Sequence, residues 1–375
     1  MRYVSLLVKP SSSLCNMRCR YCFYADESEH RETKSMGIMT DETMERLIGA
    51  AFAACDDGGA LSFSFQGGEP TVAGLPFFER FVRLVRERNT RSLPVSWAIQ
   101  TNGLALNGEW AAFFKKERFL VGVSIDGDRA LHDRMRPDAG GAGTFERVAG
   151  NFRLLRDAGV DVNILCVVNG ETAERPREVY RALRSLKTDF IQFIPCLDPL
   201  ETERGAMPWS LTPEKYGRFL KETFDEWYND WASGRYVSVR QFDDYVHNLM
   251  GMPPSSCAAS GQCGTYLVAE ADGSLYPCDF YALDEWKLGM AEDGLDRLMD
   301  GRLMRAFRHR AERKPKECAR CRYFPVCRGG CPRDWVRHGD QPHNYYCAPL
   351  KAFFDHAAER LMRIARAELT HMGRF

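Results

Sequence analysis

Residues 15–22 read Cys15-Asn16-Met17-Arg18-Cys19-Arg20-Tyr21-Cys22, three thiols within eight residues. They follow an apolar β-type run at 5–8, which places them on a loop at the carboxyl end of a first strand. Working outward, further strand patterns fall at 61–65, 95–99, 120–125, 162–168 and 190–194. Helical patterns alternate with them near 41–55, 75–88, 108–117, 144–157, 173–187 and 213–232. The last opens with Thr212-Pro213-Glu214, an N-cap followed by Pro at the first helical position. Six strand–helix units in a row predict an α/β fold of parallel strands joined by right-handed crossovers. A doubly wound open sheet and a barrel-like sheet both satisfy that pattern.

In either architecture ligands collect at the carboxyl ends of the strands. The unusual residues gather there. Gln66-Gly67-Gly68-Glu69-Pro70 follows the second strand, Gln100-Thr101-Asn102-Gly103 the third, and Ser124, Asp126 and Gly127 the fourth. Cys196-Leu197-Asp198-Pro199 follows the sixth. After residue 236 the alternation gives way to short strands, Gly/Pro turns and cysteines, ending in a helix near 348–369. The chain therefore divides into 1–236 and 237–375, and the second part is so poor in apolar periodicity that metal staples are expected to hold it.

Lys+Arg and Asp+Glu both number 51, and this balance argues against a general nucleic-acid binder. No apolar run approaches the roughly 18 residues of a membrane span. The short run at 4–8 meets Lys9-Pro10 at once, unlike a signal peptide, so a cytoplasmic protein is expected. Fourteen cysteines in such a compartment point to metal binding ahead of disulfides. Three lie in 15–22 and eight between 257 and 347, with Cys55, Cys166 and Cys196 outside both groups.

Three thiolates on a [4Fe–4S] cluster leave one iron open, and an open iron can chelate the amino and carboxylate groups of S-adenosylmethionine. A partial zinc site or incidental thiols are the plainer alternatives for Cys15, Cys19 and Cys22, although zinc prefers closed four-ligand sites. Gly67 and Gly68 let backbone approach a ligand, and Glu69 can pair with an ammonium. Gly140-Gly141-Ala142-Gly143 lacks a phosphate-loop Lys-Ser/Thr and reads as a flexible loop. The C-terminal thiols are Cys257, Cys263, Cys278, Cys318, Cys321, Cys327, Cys331 and Cys347, two complete four-cysteine sets. Cys318–Cys331 alone could be a zinc knuckle; beside a cluster loop, two more iron–sulfur centres are the better reading. His338 and His343 read as surface residues, Cys166 as a core residue on an apolar strand, and Cys55 as an inert thiol ending a helix.

The stretches SLLVKPSSSLCNMRCRYCFY, FSFQGGEPT, LVGVSIDG, NILCVV, QFIPCLDPL and GSLYPCDFY closely resemble the radical S-adenosylmethionine superfamily, in its members with a C-terminal SPASM domain for auxiliary clusters. Within it they look most like the anaerobic sulfatase-maturating enzymes, and the resemblance spans essentially the whole chain. It implies a partial (β/α)6 barrel followed by a small cysteine-rich domain, with three [4Fe–4S] clusters. Positions matching the family's cofactor contacts are Tyr21, Gly68, Ser124, Arg136 and Leu197. Family pairing assigns Cys257, Cys263, Cys278 and Cys331 to one auxiliary cluster, and Cys318, Cys321, Cys327 and Cys347 to the other. Asp279 matches the catalytic base. The implied reaction oxidises a peptidyl Cys or Ser of a nascent sulfatase, in a Cys/Ser-x-Pro/Ala-x-Arg motif, to Cα-formylglycine. An electron donor such as ferredoxin or flavodoxin is the second implied partner. Pro332 departs from the family pattern, removing a backbone donor beside a cluster ligand. Two rivals share some of these features: a SPASM enzyme that installs a thioether or other crosslink in a ribosomal peptide, and a non-enzymatic electron carrier.

Overall fold

Strict alternation in β1 (Tyr3–Val8) buries Val4, Leu6 and Val8. In this computed structural model of the protein, which describes residues 1–338 and 341–373, β1 lies inside a parallel sheet. β2 (Ala60–Phe65) pairs with it from Tyr3↔Ala60 to Val8↔Phe65, followed by β3 (Val95–Thr101) and β4 (Phe119–Ser124). Side chains two apart face the same side of a strand, so Phe63, Trp97 and Phe119 stack across three strands at 5.4 and 5.7 Å. The connecting helices are α1 (Phe23–Glu29), α2 (Asp41–Ala54), α3 (Leu75–Arg88), α4 (Gly108–Glu117), α5 (Arg129–Met135) and α6 (Phe145–Asp157). Phe78 and Phe81 of α3 meet Phe65 edge-on at 5.0 and 5.1 Å, covering the sheet.

Later in the chain β5 (Asp161–Val168), β6 (Phe190–Pro195) and β7 (Ser238–Val239) repeat the parallel pattern. Their helices are α7 (Pro176–Ser185), α8 (Pro213–Ala232) and α9 (Arg240–Leu249). Thr212 caps α8 by accepting from Lys215 N, with Pro213 in the first turn, as the sequence predicts. The C-terminal helix Cys347–His371 packs Phe353 against Phe224 of α8 and Phe242 of α9, with ring centroids 5.5 and 5.8 Å apart. In both runs, β1 to β4 and β5 to β7, spatial order follows chain order. A doubly wound sheet would reverse its order at a switch point, so the winding is that of a partial (β/α)6 barrel.

One compact unit comprises Met1–Ile125, His132–Asn163 and Gly264–Arg308; the other comprises Asp126–Leu131, Ile164–Cys263 and His309–Phe375. Gly264–Arg308 packs within the first of these through β8 (Leu267–Ala269), which joins β1 in parallel at Leu6↔Leu267 and continues antiparallel into β9 (Ser274–Tyr276) and β10 (Gly289–Met290). A three-residue strand buried throughout shows no alternation to read. The pattern at 173–187 shortens to α7, preceded by a 3₁₀ turn at Thr172–Glu174, because Pro176 sets a new helix start. No helix among the described residues is long and apolar enough to cross a membrane.

Candidate active site

The three-cysteine loop is held by backbone on its far side. Arg18 N donates to Pro137 O at 2.9 Å, Arg20 N to Met135 O at 3.0 Å, and Met17 bridges Asp138. This tether brings the buried Arg136 over the Tyr21 ring, 5.4 Å from its centroid, with Nη1 3.9 Å from Cys19 Sγ. Asn102, after β3, donates to Asn16 Oδ1 at 2.7 Å and lies 3.8 Å from Cys15 Sγ. Burial pushes the Cys15 thiol up to about 11. A thiol so placed is a poor nucleophile on its own and becomes a thiolate when a cation displaces its proton. This donor set, enclosed and beside a guanidinium, fits an anionic iron–sulfur group.

The Gly-Gly-Glu loop is built against that cysteine loop. Gly68 N donates to Ser12 O at 2.8 Å and Glu69 N to Leu14 O at 2.8 Å. A Cβ on Gly68 would stand 2.3 Å from Leu14 O, so glycine is needed for two backbones to lie together. Gly67 has φ +123°, a conformation that L side chains rarely adopt. Glu69, read from the sequence as a partner for an ammonium, is buried beyond the end of β2. Its Oε1 accepts from Thr71 N (3.0 Å), Thr71 Oγ1 (2.6 Å) and Thr101 Oγ1 (2.7 Å), and its Oε2 from Asn102 N (2.6 Å). These four bonds tie β2 to β3 through Glu69, and Oε2, with a single donor, keeps acceptor capacity. Ser124 ends β4, half-buried.

Asp279 follows Cys278 and is 5% exposed. Its Oδ2 accepts from the Tyr24 hydroxyl at 2.6 Å and from Gln66 Nε2 at 3.2 Å, while its buried Oδ1 has no partner among the described residues. Burial lifts its carboxyl to about 7, opposed by Lys9 and the Tyr24 bond and reinforced by Glu27 and Glu270. Behind it lies a charged cluster invisible to motif reading. Lys9 Nζ is 3.2 Å from Glu27 Oε2 and 2.8 Å from Glu270 Oε1, and Arg31 Nη1 is 2.6 Å from Glu270 Oε1. Burial disfavours the Glu270 anion, yet Lys9 and Arg31 outweigh it and bring its carboxyl down to about 2. Lys9 also lies 5.1 Å from the Tyr24 ring centroid, and Glu27 Oε1 accepts from Ala282 N at 2.7 Å. Lys9, Glu27, Arg31 and Glu270 thus buttress the two segments that carry Tyr24 and Asp279. Tyr24 and Gln66 were legible only as neighbours of motifs: one follows the last cysteine of the loop, the other opens the glycine turn.

In the unit containing the C-terminal helix, Cys318, Cys321, Cys327 and Cys347 line one cavity with Phe324, Leu350 and Phe354. No three His, Cys, Asp or Glu groups among the described residues meet as a single-ion site. Burial raises Cys318 and Cys327 to about 11, and the neighbouring thiols add to the rise. Such apolar-walled, thiol-lined space fits a metal–sulfur group. Cys331 lies outside that lining, and its Sγ accepts from Arg333 N at 3.4 Å, so the residue after Pro332 supplies the donor that proline lacks. Cys257 and Cys263 interact, with burial raising Cys263 to about 11. Cys278, in the unit with Asp279, has the Tyr266 hydroxyl 3.8 Å from its Sγ.

Of the remaining expected positions, Leu197 is half-buried and its carbonyl accepts from the Cys196 thiol at 3.6 Å. Asp198 has Gly205 N, Ser210 Oγ and Arg204 around its carboxylate. Cys166 is fully buried, and Cys55 lies buried against Ala60 O. The amides of Gly140 and Ala142 are engaged by Asp138 Oδ1, and Asp126 Oδ1 accepts from Val167 N at 2.9 Å. His343 is partly exposed beside Glu317, 2.5 Å away. The His338 side chain lies outside the described residues.

The Radical SAM superfamily model matches residues 10–183, and the model of an iron–sulfur cluster-binding domain, SPASM, matches residues 257–322. A partial barrel with a three-cysteine loop at its strand ends, followed by a cysteine-rich segment, defines the class: a radical SAM protein with an auxiliary iron–sulfur domain. Over 365 residues the chain is 42% identical to the cysteine-type anaerobic sulfatase-maturating enzyme of Clostridium perfringens, covering 96% of this chain and 98% of that one. It is 30% identical to the serine-type enzyme of Bacteroides thetaiotaomicron, over 94% and 89% of the two chains. The solved structure of native anSMEcpe with bound AdoMet and Kp18Cys peptide superposes with TM-score 0.92 at 40% identity, over 97% of this chain and 99% of that one. The chain belongs to the anaerobic sulfatase-maturating enzymes.

Proposed function

We propose that this enzyme oxidises a peptidyl cysteine of a nascent sulfatase, within a Cys-x-Pro/Ala-x-Arg motif, to Cα-formylglycine, with serine the poorer substrate. The single observation carrying the reading is the half-used carboxylate of Asp279. Two donors anchor Oδ2 and leave Oδ1, buried and unpartnered, to accept a proton. The cysteine preference rests on greater likeness to the cysteine-type relative, 42% against 30% for the serine-type.

Cys15, Cys19 and Cys22 would hold the catalytic [4Fe–4S] cluster. Cys257, Cys263, Cys278 and Cys331 would hold one auxiliary cluster, and Cys318, Cys321, Cys327 and Cys347 the other, so 1–236 carries the radical chemistry and 237–375 the auxiliary centres. When bound, these clusters and S-adenosylmethionine supply the 5′-deoxyadenosyl radical that takes a hydrogen atom from substrate Cβ, and the acceptor for the electron left behind. Gly67 and Gly68 offer backbone to the methionine end of S-adenosylmethionine, with Glu69 fixing their loop. Tyr21, Ser124, Arg136 and Leu197 contact the rest of it. Asp279 Oδ1 takes the substrate thiol proton, a step that hydrogen abstraction itself does not require. The reaction is cytoplasmic, with a ferredoxin or flavodoxin supplying electrons.

The test is anaerobic incubation of the reconstituted enzyme with S-adenosylmethionine, a reductant and a peptide bearing Cys-x-Pro-x-Arg. Mass analysis and aldehyde trapping should find formylglycine. A crosslinked peptide without aldehyde would overturn the reading.

A further inference from the structure

Lys314 sits where the loops of both auxiliary cysteine sets meet. Its ammonium donates to Gly261 O at 2.8 Å, within the loop joining Cys257 to Cys263. Its aliphatic stem crosses the Gly329-Gly330 turn joining Cys327 to Cys331. A Cβ on Gly329 would stand 3.1 Å from Lys314 Cδ and 3.8 Å from Cys318 Sγ. Gly329, at φ +85°, keeps that crossing open, and the Trp335 indole lies on the other side, its ring centroid 5.6 Å from Nζ. Trp335 is fixed in turn by donating to Gly329 O at 2.9 Å. Burial lowers the Lys314 ammonium, and thiols from both sets, Cys263 and Cys331 with Cys318 and Cys327, oppose that shift. Other charges also lie near these thiols: Arg240 and Asp244 act at Cys257, Arg310 at Cys263, Lys351 at Cys347, and Glu317, paired with His343, at Cys318 and Cys347.

We propose that Lys314 is a shared electrostatic tuning residue, whose fixed positive charge raises the reduction potentials of both auxiliary clusters and so favours removal of the substrate's electron. The inference rests on the cluster assignment proposed above. Reduction adds negative charge to each centre, and a cation held in a partly dry site stabilises the reduced form more than the oxidised one. Charge near the cluster is among the factors that set such potentials. A lysine whose head and stem are both held keeps its charge in place, unlike a solvated surface lysine.

The test is potentiometric titration of the reconstituted holoenzyme, followed by EPR, with Lys314→Met and Lys314→Arg beside the parent. In Lys314→Met, with parent iron content, both auxiliary midpoints should move to more negative potential. The oxidised-to-reduced ratio at a fixed potential should rise about tenfold, equivalent to about 59 mV for a one-electron couple. The catalytic cluster's midpoint should stay put, and Lys314→Arg should keep parent values. Unchanged auxiliary midpoints in Lys314→Met would overturn the proposal. So would loss of auxiliary iron in both variants alike, which would make Lys314 a loop staple. Failure of the underlying cluster assignment reads differently: the parent itself would lack auxiliary EPR signals and their share of iron.

Discussion

The Tyr24 hydroxyl donates to Asp279 Oδ2 at 2.6 Å across 255 residues of chain, leaving Oδ1 as the oxygen without a partner. One oxygen anchored and one available is the geometry of an oriented base. Asp198, beyond the end of β6, has both oxygens occupied by Gly205 N, Ser210 and Arg204.

Asp279→Asn keeps the shape and loses the proton acceptor. Aldehyde formation should fall at least about a hundredfold, the scale of a missing general base. S-adenosylmethionine cleavage, and deuterium transfer from substrate Cβ to 5′-deoxyadenosine, should continue. Parent-rate aldehyde formation would make Asp279 structural.

Tyr24→Phe removes the anchor and spares the base. A hydrogen bond to a charged group contributes about 1.5–3 kcal/mol, so aldehyde formation should slow by about tenfold or more. The loss should be smaller than for Asp279→Asn, with iron content unchanged. Equal losses would mean that Tyr24 does more than orient.

Gly68→Val is expected to act on the cysteine loop as well as on the cofactor. The new Cβ meets Leu14 O, one residue before Cys15, at 2.3 Å. The chain should therefore lose part of the catalytic cluster's iron along with S-adenosylmethionine binding, with Gly68→Ala intermediate. Full iron with weak binding in calorimetry would return the side chain to the cofactor side of the loop.

Three four-iron clusters predict roughly twelve irons per reconstituted chain. Replacing Cys15, Cys19 and Cys22 with Ala should remove about a third of the iron and abolish S-adenosylmethionine cleavage. Cys347→Ala should remove a similar share and leave cleavage in place. Full zinc occupancy of the C-terminal thiols in protein prepared without oxygen would falsify the auxiliary assignment.

Glu270→Gln leaves Lys9 and Arg31 buried around a neutral amide. Removing one partner of a buried charge pair costs about 3–5 kcal/mol, read as a lower thermal midpoint of the anaerobic holoenzyme. Glu270 is depressed to about 2, so its stabilisation is complete above the unfolded value near 4.5 and fades only as pH falls toward 2. The gap between parent and variant should be equal at pH 8 and pH 6. A gap that closes by pH 6 would mean that the network does not hold Glu270 ionised.

The sequence alone determined the parallel α/β architecture, because each of the strands β1 to β6 carries enough apolar residues, alternating as in β2 or consecutive as in β5, and each connecting helix enough periodicity, to specify its own type. It also determined the cysteine loop, since thiols at that spacing are local in chain and in space. The role of Asp279 came from resemblance; its partners came from the fold. Tyr24 and Gln66 reach it from 255 and 213 residues away. Only tertiary structure could assemble them, because β8 is too short to show a pattern and is recognised solely by its pairing with β1. That pairing carries Glu270 to Lys9, and the buried charges around them set the position of the base. Glu69 adds to the same point: the bonds its carboxylate makes to Thr101 and Asn102 exist only once β2 lies beside β3.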